Sequence, residues 1–221
     1  MKKFILIANG RAPLKKDILY LKSKGYDTIM CADGGANTAF RLKIVPDFIV
    51  GDLDSVKPGV LQHYQDICTV KKIQRQSDTD VEKVLKYAMK LGFTHCCMTA
   101  VTGDRLDHSF GNLAIALKYS GLLDIRIISE QSYLTVISGC KTLRSQPQET
   151  VSLFGFSSKT KFTTTGLKYR LDNESLTFGE RESTSNVAEN DQFTVKVKFG
   201  KAFLIRDFQT IKKYDLMESD Y

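Results

Sequence analysis

Strand and helix signals alternate along the first two-thirds of the chain, and this alternation constrains the fold more than any other feature. Short apolar runs typical of strands occur at residues 4–8, 28–32, 48–50, 67–70, 96–101 and 125–129. Segments with helical spacing of apolar residues lie between them, including one that opens on a Thr79–Glu82 capping-box pattern and ends at Gly92. This alternation predicts an α/β fold with a mostly parallel sheet and helices on both faces.

The pattern changes near residue 133, where helical periodicity stops. The β-type runs that follow are short and are separated by Gly, Asn, Asp and Ser; they occur at residues 134–137, 150–156, 161–165, 166–171, 175–178, 192–197 and 202–205. They predict an antiparallel β-sandwich or small barrel. We therefore expect an α/β catalytic domain at residues 1–132 and a β domain at residues 133–221.

Composition narrows the class of protein. The chain has 221 residues, 42% of them hydrophobic and 26% charged, which is ordinary for a globular protein. No apolar run approaches the roughly 20 residues needed to span a bilayer, and residues 4–8 resemble a first strand more than a signal sequence. The five cysteines form no C-x-x-C pair, which favours buried free thiols. We expect a cytoplasmic protein with no membrane partner.

The net charge of +7 has two possible meanings. An excess of Lys and Arg is typical of nucleic-acid-binding proteins, but here the basic residues are spread along the chain without a basic run that interleaves with aromatic residues. A polyphosphate ligand accounts for the same excess equally well. We therefore expect no nucleic-acid partner.

Four acidic clusters follow strands or begin helices in this pattern. They are Asp33 in DGGAN, Asp52 and Asp54 in GDLDS, Asp78 and Asp80 in QSDTD, and Asp104 and Asp107 in TGDRLD. A parallel sheet brings the C-terminal ends of its strands to one edge, so the clusters are predicted to converge there. If residues 48–50 form a strand, Asp52 and Asp54 point to the same side just beyond it. Carboxylate oxygens with positions left for water and phosphate suit Mg²⁺.

Each cluster also has a structural explanation when it is taken alone. An Asp after a strand can form a turn, and an Asp at a helix start can cap the helix. Their coincidence, with Gly beside three of the four clusters, favours a metal site. Gly34 and Gly103 are expected to let the backbone approach a ligand, and Arg105 to reach phosphate oxygens. Because neither a P-loop nor a G-x-G-x-x-G pattern occurs, these residues predict a metal-dependent phosphoryl-transfer enzyme of another type.

At these motifs the chain resembles the thiamine pyrophosphokinase family. The similarity rests on DGGAN (33–37), PDFIVGDLDS (46–55), QSDTD (76–80) and TGDRLDH (102–108), and in the second domain on TTGLKY (164–169) and STSN (183–186). The resemblance implies transfer of the pyrophosphoryl group of ATP to the hydroxyethyl group of thiamine, which gives thiamine diphosphate and AMP. It also implies a C-terminal β-sandwich that binds thiamine and a homodimer with the active site at the subunit interface.

The resemblance also implies roles for individual residues. Asp52, Asp54 and Asp80 would bind Mg²⁺, with Asp54, Asp80, Arg105 and Asp107 at the catalytic centre. ATP would be held by Asp33, Gly34, Asn37, Thr102, Gly103, Asp104 and Arg105, and thiamine by Gln76, Tyr169, Ser185 and Asn186. The family often has Trp where this chain, which contains no Trp, has Tyr169. Tyr169 is expected to stack on thiamine in its place.

Several alternatives stay open at this stage. The residues leave undecided which acid serves as a general base, how many metal ions bind, and how Asp52 and Asp54 divide their work. A related pyrophosphokinase for another hydroxymethyl heterocycle, or a non-catalytic thiamine or nucleotide sensor, would share the fold. The presence of every acid in the four clusters favours an enzyme over a sensor.

Overall fold

The computed structural model describes residues 1–74, 77–103 and 105–217. The chain divides into two compact units, Met1–Ser129 and Glu130–Tyr221. The alternation of strands and helices is confined to the first unit. Among the helices of the described residues, none is long and apolar enough to cross a membrane.

The described part of the first unit contains a six-stranded sheet in which every neighbouring pair is parallel. The strands are β1 (Lys3–Ile7), β2 (Thr28–Ala32), β3 (Phe48–Gly51), β4 (Thr69–Lys72), β5 (His95–Thr99) and β6 (Asp124–Ser129), in the spatial order β6-β5-β1-β2-β3-β4. The α/β class and the parallel sheet predicted from the alternation are confirmed. The central strands are almost continuously buried, as expected for a sheet covered by other elements.

Five helices connect these strands: α1 (Lys15–Ser23), α2 (Gly35–Arg41), α3 (Pro58–Tyr64), α4 (Asp80–Lys90) and α5 (Leu106–Tyr119). The predicted capping box of α4 is present, because the Glu82 N–H donates to Thr79 Oγ1 at 3.2 Å and the Thr79 N–H to Glu82 Oε2 at 3.4 Å. Val81, Val84 and Leu85 are buried on the inner face of α4. The capping box fixes where α4 begins and therefore where Asp80 lies.

Helix α5 contradicts the apolar face that its spacing suggests. Leu106, Phe110, Leu113, Ala114 and Leu117 share one face, yet Leu106 is 69% exposed and Phe110 is 55% exposed. The buried positions are Ile115, Ala116 and Tyr119 instead. An amphipathic pattern locates an apolar face but does not specify what covers it, so this face remains open in the single chain.

The second unit contains an antiparallel sheet centred on its last strand. The strands are β7 (Ser132–Arg144), β8 (Thr150–Gly155), β9 (Lys161–Thr165), β10 (Glu174–Ser175), β11 (Ser183–Val187) and β12 (Gln192–Asp207), followed by α6 (Phe208–Lys213). β12 pairs with β7, β8 and β9, while β8 also pairs with β11 and β9 with β10. The antiparallel pairing is confirmed; the description as a sandwich stays a prediction.

Three predicted β runs of this unit are wrong in detail. Residues 166–171 form no strand and contribute an isolated bridge between Leu167 and Ala188. The runs at residues 192–197 and 202–205 belong to one strand with a register irregularity between Val197 and Ala202. Gly200, at a φ of 159°, lies within this irregularity, and a bulge of this type bends a strand without ending it.

A charged pair is enclosed in the second unit beside the apolar core formed by Leu153, Phe162 and Phe193. Arg206 donates from Nε to Glu149 Oε1 at 2.7 Å and from Nη2 to Glu149 Oε2 at 2.9 Å. Both side chains are almost fully buried. The bidentate pair compensates the two charges where water does not reach them, while Arg206 Nη1 is buried without a hydrogen-bond partner among the described residues.

Candidate active site

Three carboxylates of the predicted set meet at one edge of the parallel sheet. Asp33 directly follows β2, Asp52 directly follows β3, and Asp80 is the first residue of α4. One oxygen from each carboxylate can be chosen so that all three lie within 4.8 Å of one another. We call Asp33, Asp52 and Asp80 the acidic cluster. The expected convergence of strand ends therefore occurs for these three residues.

The glycines around the acidic cluster serve the packing of the chain itself. A Cβ on Gly51 would lie 2.7 Å from Asp33 Cβ, and a Cβ on Gly35 would lie 2.0 Å from the carbonyl oxygen of Ile7. A Cβ on Gly34 would lie 2.6 Å from the side chain of Asn9. Gly34 thus allows the side chain of Asn9 to approach closely, and its expected contact with a ligand stays a prediction.

The acidic cluster has oxygens available to a cation. Asp33 Oδ2 accepts a hydrogen bond from the Ser55 N–H at 3.1 Å, but Asp33 Oδ1 and Asp52 Oδ1 are buried without a hydrogen-bond partner among the residues that the structure describes. Burial, together with the charges of Asp80 and Asp54, raises the pKa of Asp33 above its usual value despite the hydrogen bonds from Ser55. Buried carboxylate oxygens without partners are costly, and a hard divalent cation would satisfy them.

Lys83 supplies positive charge to this cluster and was missed by the sequence argument. Its Nζ lies 2.8 Å from Asp52 Oδ2 and 2.8 Å from Asp80 Oδ1, and its side chain is only 3% exposed. Hydrogen bonding to Lys83 lowers the pKa of Asp52. Burial lowers the pKa of Lys83, but its hydrogen bonds to Asp52 and Asp80 outweigh burial and raise it. The i,i+3 spacing from Asp80 on α4 was the available signal.

Asp54 is not one of the three residues of the acidic cluster, although its charge acts on Asp33. It is exposed, and its Oδ1 accepts a hydrogen bond from Ser55 Oγ at 3.0 Å. β3 ends at Gly51, and Leu53 has a left-handed φ of 70°, so the alternation of side chains along a strand does not extend from Asp52 to Asp54. The expectation that both acids point to the same side rested on that alternation. Metal binding by Asp54 stays a prediction.

Asn37 braces the loop that follows the two acids. Its Nδ2 donates to the carbonyl of Ser55 at 2.8 Å, and its Oδ1 accepts from the Lys57 N–H at 2.9 Å. The same loop provides the Ser55 N–H that binds Asp33. The structure thus gives Asn37, predicted as a contact for ATP, a role in holding the loop beside the acidic cluster.

The TGDRLDH segment begins α5 after the end of β5. Thr102 Oγ1 hydrogen-bonds Ser129 Oγ, and Gly103, at a φ of 155°, brings its backbone close to that of Arg11. Arg105 and Asp107 form an exposed pair, with Nη2 to Oδ2 at 2.6 Å, and the hydrogen bond from Arg105 lowers the pKa of Asp107. Both side chains are therefore accessible to a ligand. Asp104 and Gln76 lie outside the described residues.

The predicted thiamine contacts of the second unit form a local arrangement around Tyr169. Asn186 is buried; its Oδ1 accepts from the Tyr169 N–H at 3.0 Å and its Nδ2 donates to the Tyr169 carbonyl at 2.7 Å. The Tyr169 side chain is 61% exposed. Ser185 has a left-handed φ of 54° at an irregularity in β11, and its N–H donates to Ser152 Oγ at 3.0 Å. Asn186 thus fixes the backbone of Tyr169, which is mostly exposed and has the Lys168 ammonium 5.5 Å from the centre of its ring.

Comparison with known proteins matches both units to one family. Residues 21–128 match the family model described as "Thiamin pyrophosphokinase, catalytic domain", and residues 141–204 match "Thiamin pyrophosphokinase, vitamin B1 binding domain". The chain is 30% identical over 200 residues to thiamine pyrophosphokinase 1 of Arabidopsis thaliana, and the aligned region covers 76% of this chain and 73% of that protein.

Solved structures agree with these matches. The chain is similar to a thiamin pyrophosphokinase from Geobacillus thermodenitrificans, with a TM-score of 0.76, 28% identity, and coverage of 94% of this chain and 97% of that one. A thiamine pyrophosphokinase from Bacillus subtilis shares the fold, with a TM-score of 0.79, 22% identity, and coverage of 93% and 99%. Two matched domains in one order, and relatives aligned along most of their length, establish that this chain belongs to the thiamine pyrophosphokinase family.

Proposed function

We propose that the chain is a thiamine diphosphokinase, which transfers the pyrophosphoryl group of ATP to the hydroxyethyl oxygen of thiamine and releases thiamine diphosphate and AMP. The observation that carries this proposal is the acidic cluster, two of whose buried oxygens have no hydrogen-bond partner within residues 1–74, 77–103 and 105–217, in a chain of this family. The match to a vitamin B1 binding domain favours thiamine over another hydroxymethyl heterocycle.

Magnesium is the cation proposed for the acidic cluster. Asp33, Asp52 and Asp80 would hold it, since all their donors are carboxylate oxygens and Mg²⁺ commonly binds through a few carboxylates plus substrate phosphates. When bound, the ion would neutralise charge on the transferring phosphate groups. The accessible Arg105, which pairs with Asp107, would bind phosphate oxygens through its guanidinium.

The second unit is proposed to bind thiamine through the exposed ring of Tyr169. An aromatic ring on a fixed backbone can stack on a heterocycle with little loss of conformational freedom, and Asn186 fixes that backbone at two points. Ser185 and Gln76 are proposed as polar contacts. We further propose a cytoplasmic homodimer with the active site at the subunit interface; the exposed apolar face of α5 supports pairing with a second copy.

Product analysis tests this function. The protein is incubated with ATP, Mg²⁺ and thiamine, and the nucleotides are separated by ion-exchange chromatography. AMP and thiamine diphosphate should form in equal amounts, and excess EDTA should abolish both. Release of ADP with thiamine monophosphate would contradict pyrophosphoryl transfer. Formation of neither product, with both ligands bound, would indicate a sensor.

A further inference from the structure

Lys83 lies inside the acidic cluster and bonds to two of its three members. Its ammonium is 2.8 Å from an oxygen of Asp52 and 2.8 Å from an oxygen of Asp80. Its side chain is nearly inaccessible to water, so these two carboxylates are its main compensation for lost hydration. The ammonium therefore binds the same two carboxylates that a divalent cation at this position would use.

The charges of the cluster suggest what this contact does. Three carboxylates and one ammonium leave a formal charge of −2, which a single divalent cation would neutralise. Lys83 uses Oδ2 of Asp52, while Oδ1 of Asp52 and Oδ1 of Asp33 have no hydrogen-bond partner in the described part of the chain. The ammonium thus holds Asp52 in one orientation and leaves part of the cluster for a second cation.

We propose that Lys83 is a resident cation that holds Asp52 and Asp80 in place and competes with the divalent metal for them. This inference rests on the proposed function, because it takes the acidic cluster as the metal site. A fixed positive charge beside the metal weakens its binding by Coulomb repulsion. The metal then needs the phosphates of the nucleotide to bind tightly, so Lys83 makes metal binding depend on the second ligand.

Nucleotide-free Mn²⁺ binding, measured by electron paramagnetic resonance of the free ion, tests the competition. Mn²⁺ is used because it prefers the same carboxylate ligands as Mg²⁺. Lys83→Met removes the charge and keeps the stem, and Lys83→Gln also keeps a hydrogen-bond donor. Both variants should lower the Kd for Mn²⁺ by at least about tenfold. An unchanged or higher Kd in both would overturn the proposal.

Lys86→Met is the matched control on the same helix. Lys86 pairs with Asp78 at 2.6 Å, and Asp78 is not a member of the acidic cluster. Its removal changes the net charge equally but should alter the Kd by less than about twofold, since charges at a distance are screened. If Lys86→Met lowered the Kd for Mn²⁺ as much as Lys83→Met does, net charge alone would explain the effect, and a specific role for Lys83 would be overturned.

Thermal unfolding separates this inference from the function on which it rests. In EDTA, Lys83→Met should unfold at a lower temperature than wild type, because two carboxylates lose their partner, and Mn²⁺ should raise its Tm by more than it raises that of wild type. A smaller or equal rise would contradict competition. If wild type bound no Mn²⁺ and gained no stability from it, the proposed metal site itself would fail.

Discussion

Gly51→Ala is the substitution that tests most directly how the fold builds the acidic cluster. The new Cβ would lie 2.7 Å from Asp33 Cβ and 3.1 Å from Asp33 Cα, whereas ordinary contacts lie at 3.4–4 Å. Relief requires Asp33 or β3 to move by roughly 1 Å, and overpacking of this kind costs about 1–3 kcal/mol of stability. A misplacement of this size near reacting groups lowers turnover by about 100-fold.

The assay compares three quantities in Gly51→Ala and wild type: the urea midpoint, the Kd for Mn²⁺ and the rate of AMP release. Gly59→Ala is the matched control, because a Cβ there meets nothing within 4 Å and Gly59 is a residue of α3. This control should keep its activity, and its free energy of unfolding should rise by about 0.4–1 kcal/mol. Wild-type metal affinity and turnover in Gly51→Ala would refute the claim that Gly51 is needed to place Asp33.

Three further predictions concern charges in the two units. Asp52→Asn should lower turnover by orders of magnitude, while the free energy of unfolding in urea changes by less than about 1 kcal/mol. Retention of turnover would contradict metal binding by Asp52. Glu149→Met or Arg206→Met alone should lower the free energy of unfolding in urea by about 3–5 kcal/mol. The double variant should lower it by much less than the sum of the two, and additive losses would exclude coupling between the two side chains. Burial raises the pKa of Glu82, but its hydrogen bonds with Lys118 and others outweigh it and lower that pKa. The ionised Glu82 therefore stabilises the fold above the unfolded pKa of about 4.3, and this stabilisation is lost as pH falls through the lower folded pKa. The free energies of unfolding of wild type and Glu82→Gln, which should differ by about 1 kcal/mol at neutral pH, should become equal below about pH 4. A difference that persists there would contradict ionic stabilisation.

The α/β class of the first unit could be predicted because periodicity is a local property of the sequence. The start of α4 was predictable for the same reason, since Thr79 and Glu82 are three residues apart and satisfy each other. The spacing of α5 places its apolar residues on one face, but which face of a helix is buried depends on long-range packing, and here the buried residues are Ile115, Ala116 and Tyr119. Leu106 and Phe110 consequently look like core residues in the sequence and are exposed in the single chain.

The composition of the acidic cluster was less accessible to sequence reasoning. Asp52 and Asp54 are equivalent by spacing, and the left-handed backbone at Leu53 that separates them has no sequence signal, because Leu seldom adopts it. Asp33 enters the cluster through the close approach of β2 and β3, which Gly51 permits. In the sequence Lys83 resembles any charged residue of a helix, because its contact with Asp52, which follows β3, joins residues far apart in the chain.

The position of β12 in the second unit has a consequence for how the protein is made. The strand spans sixteen residues and pairs with β7, β8 and β9, and no strand follows it among the described residues. During synthesis the six parallel strands of the first unit are complete once Ser129 has left the ribosome. β9 gains its partner only with Thr194–Lys198, β8 with Ala202–Arg206, and β7 completes its pairing with Asp207. We expect nascent chains halted between these points to carry a folded N-terminal half and unpaired strand edges that recruit chaperones.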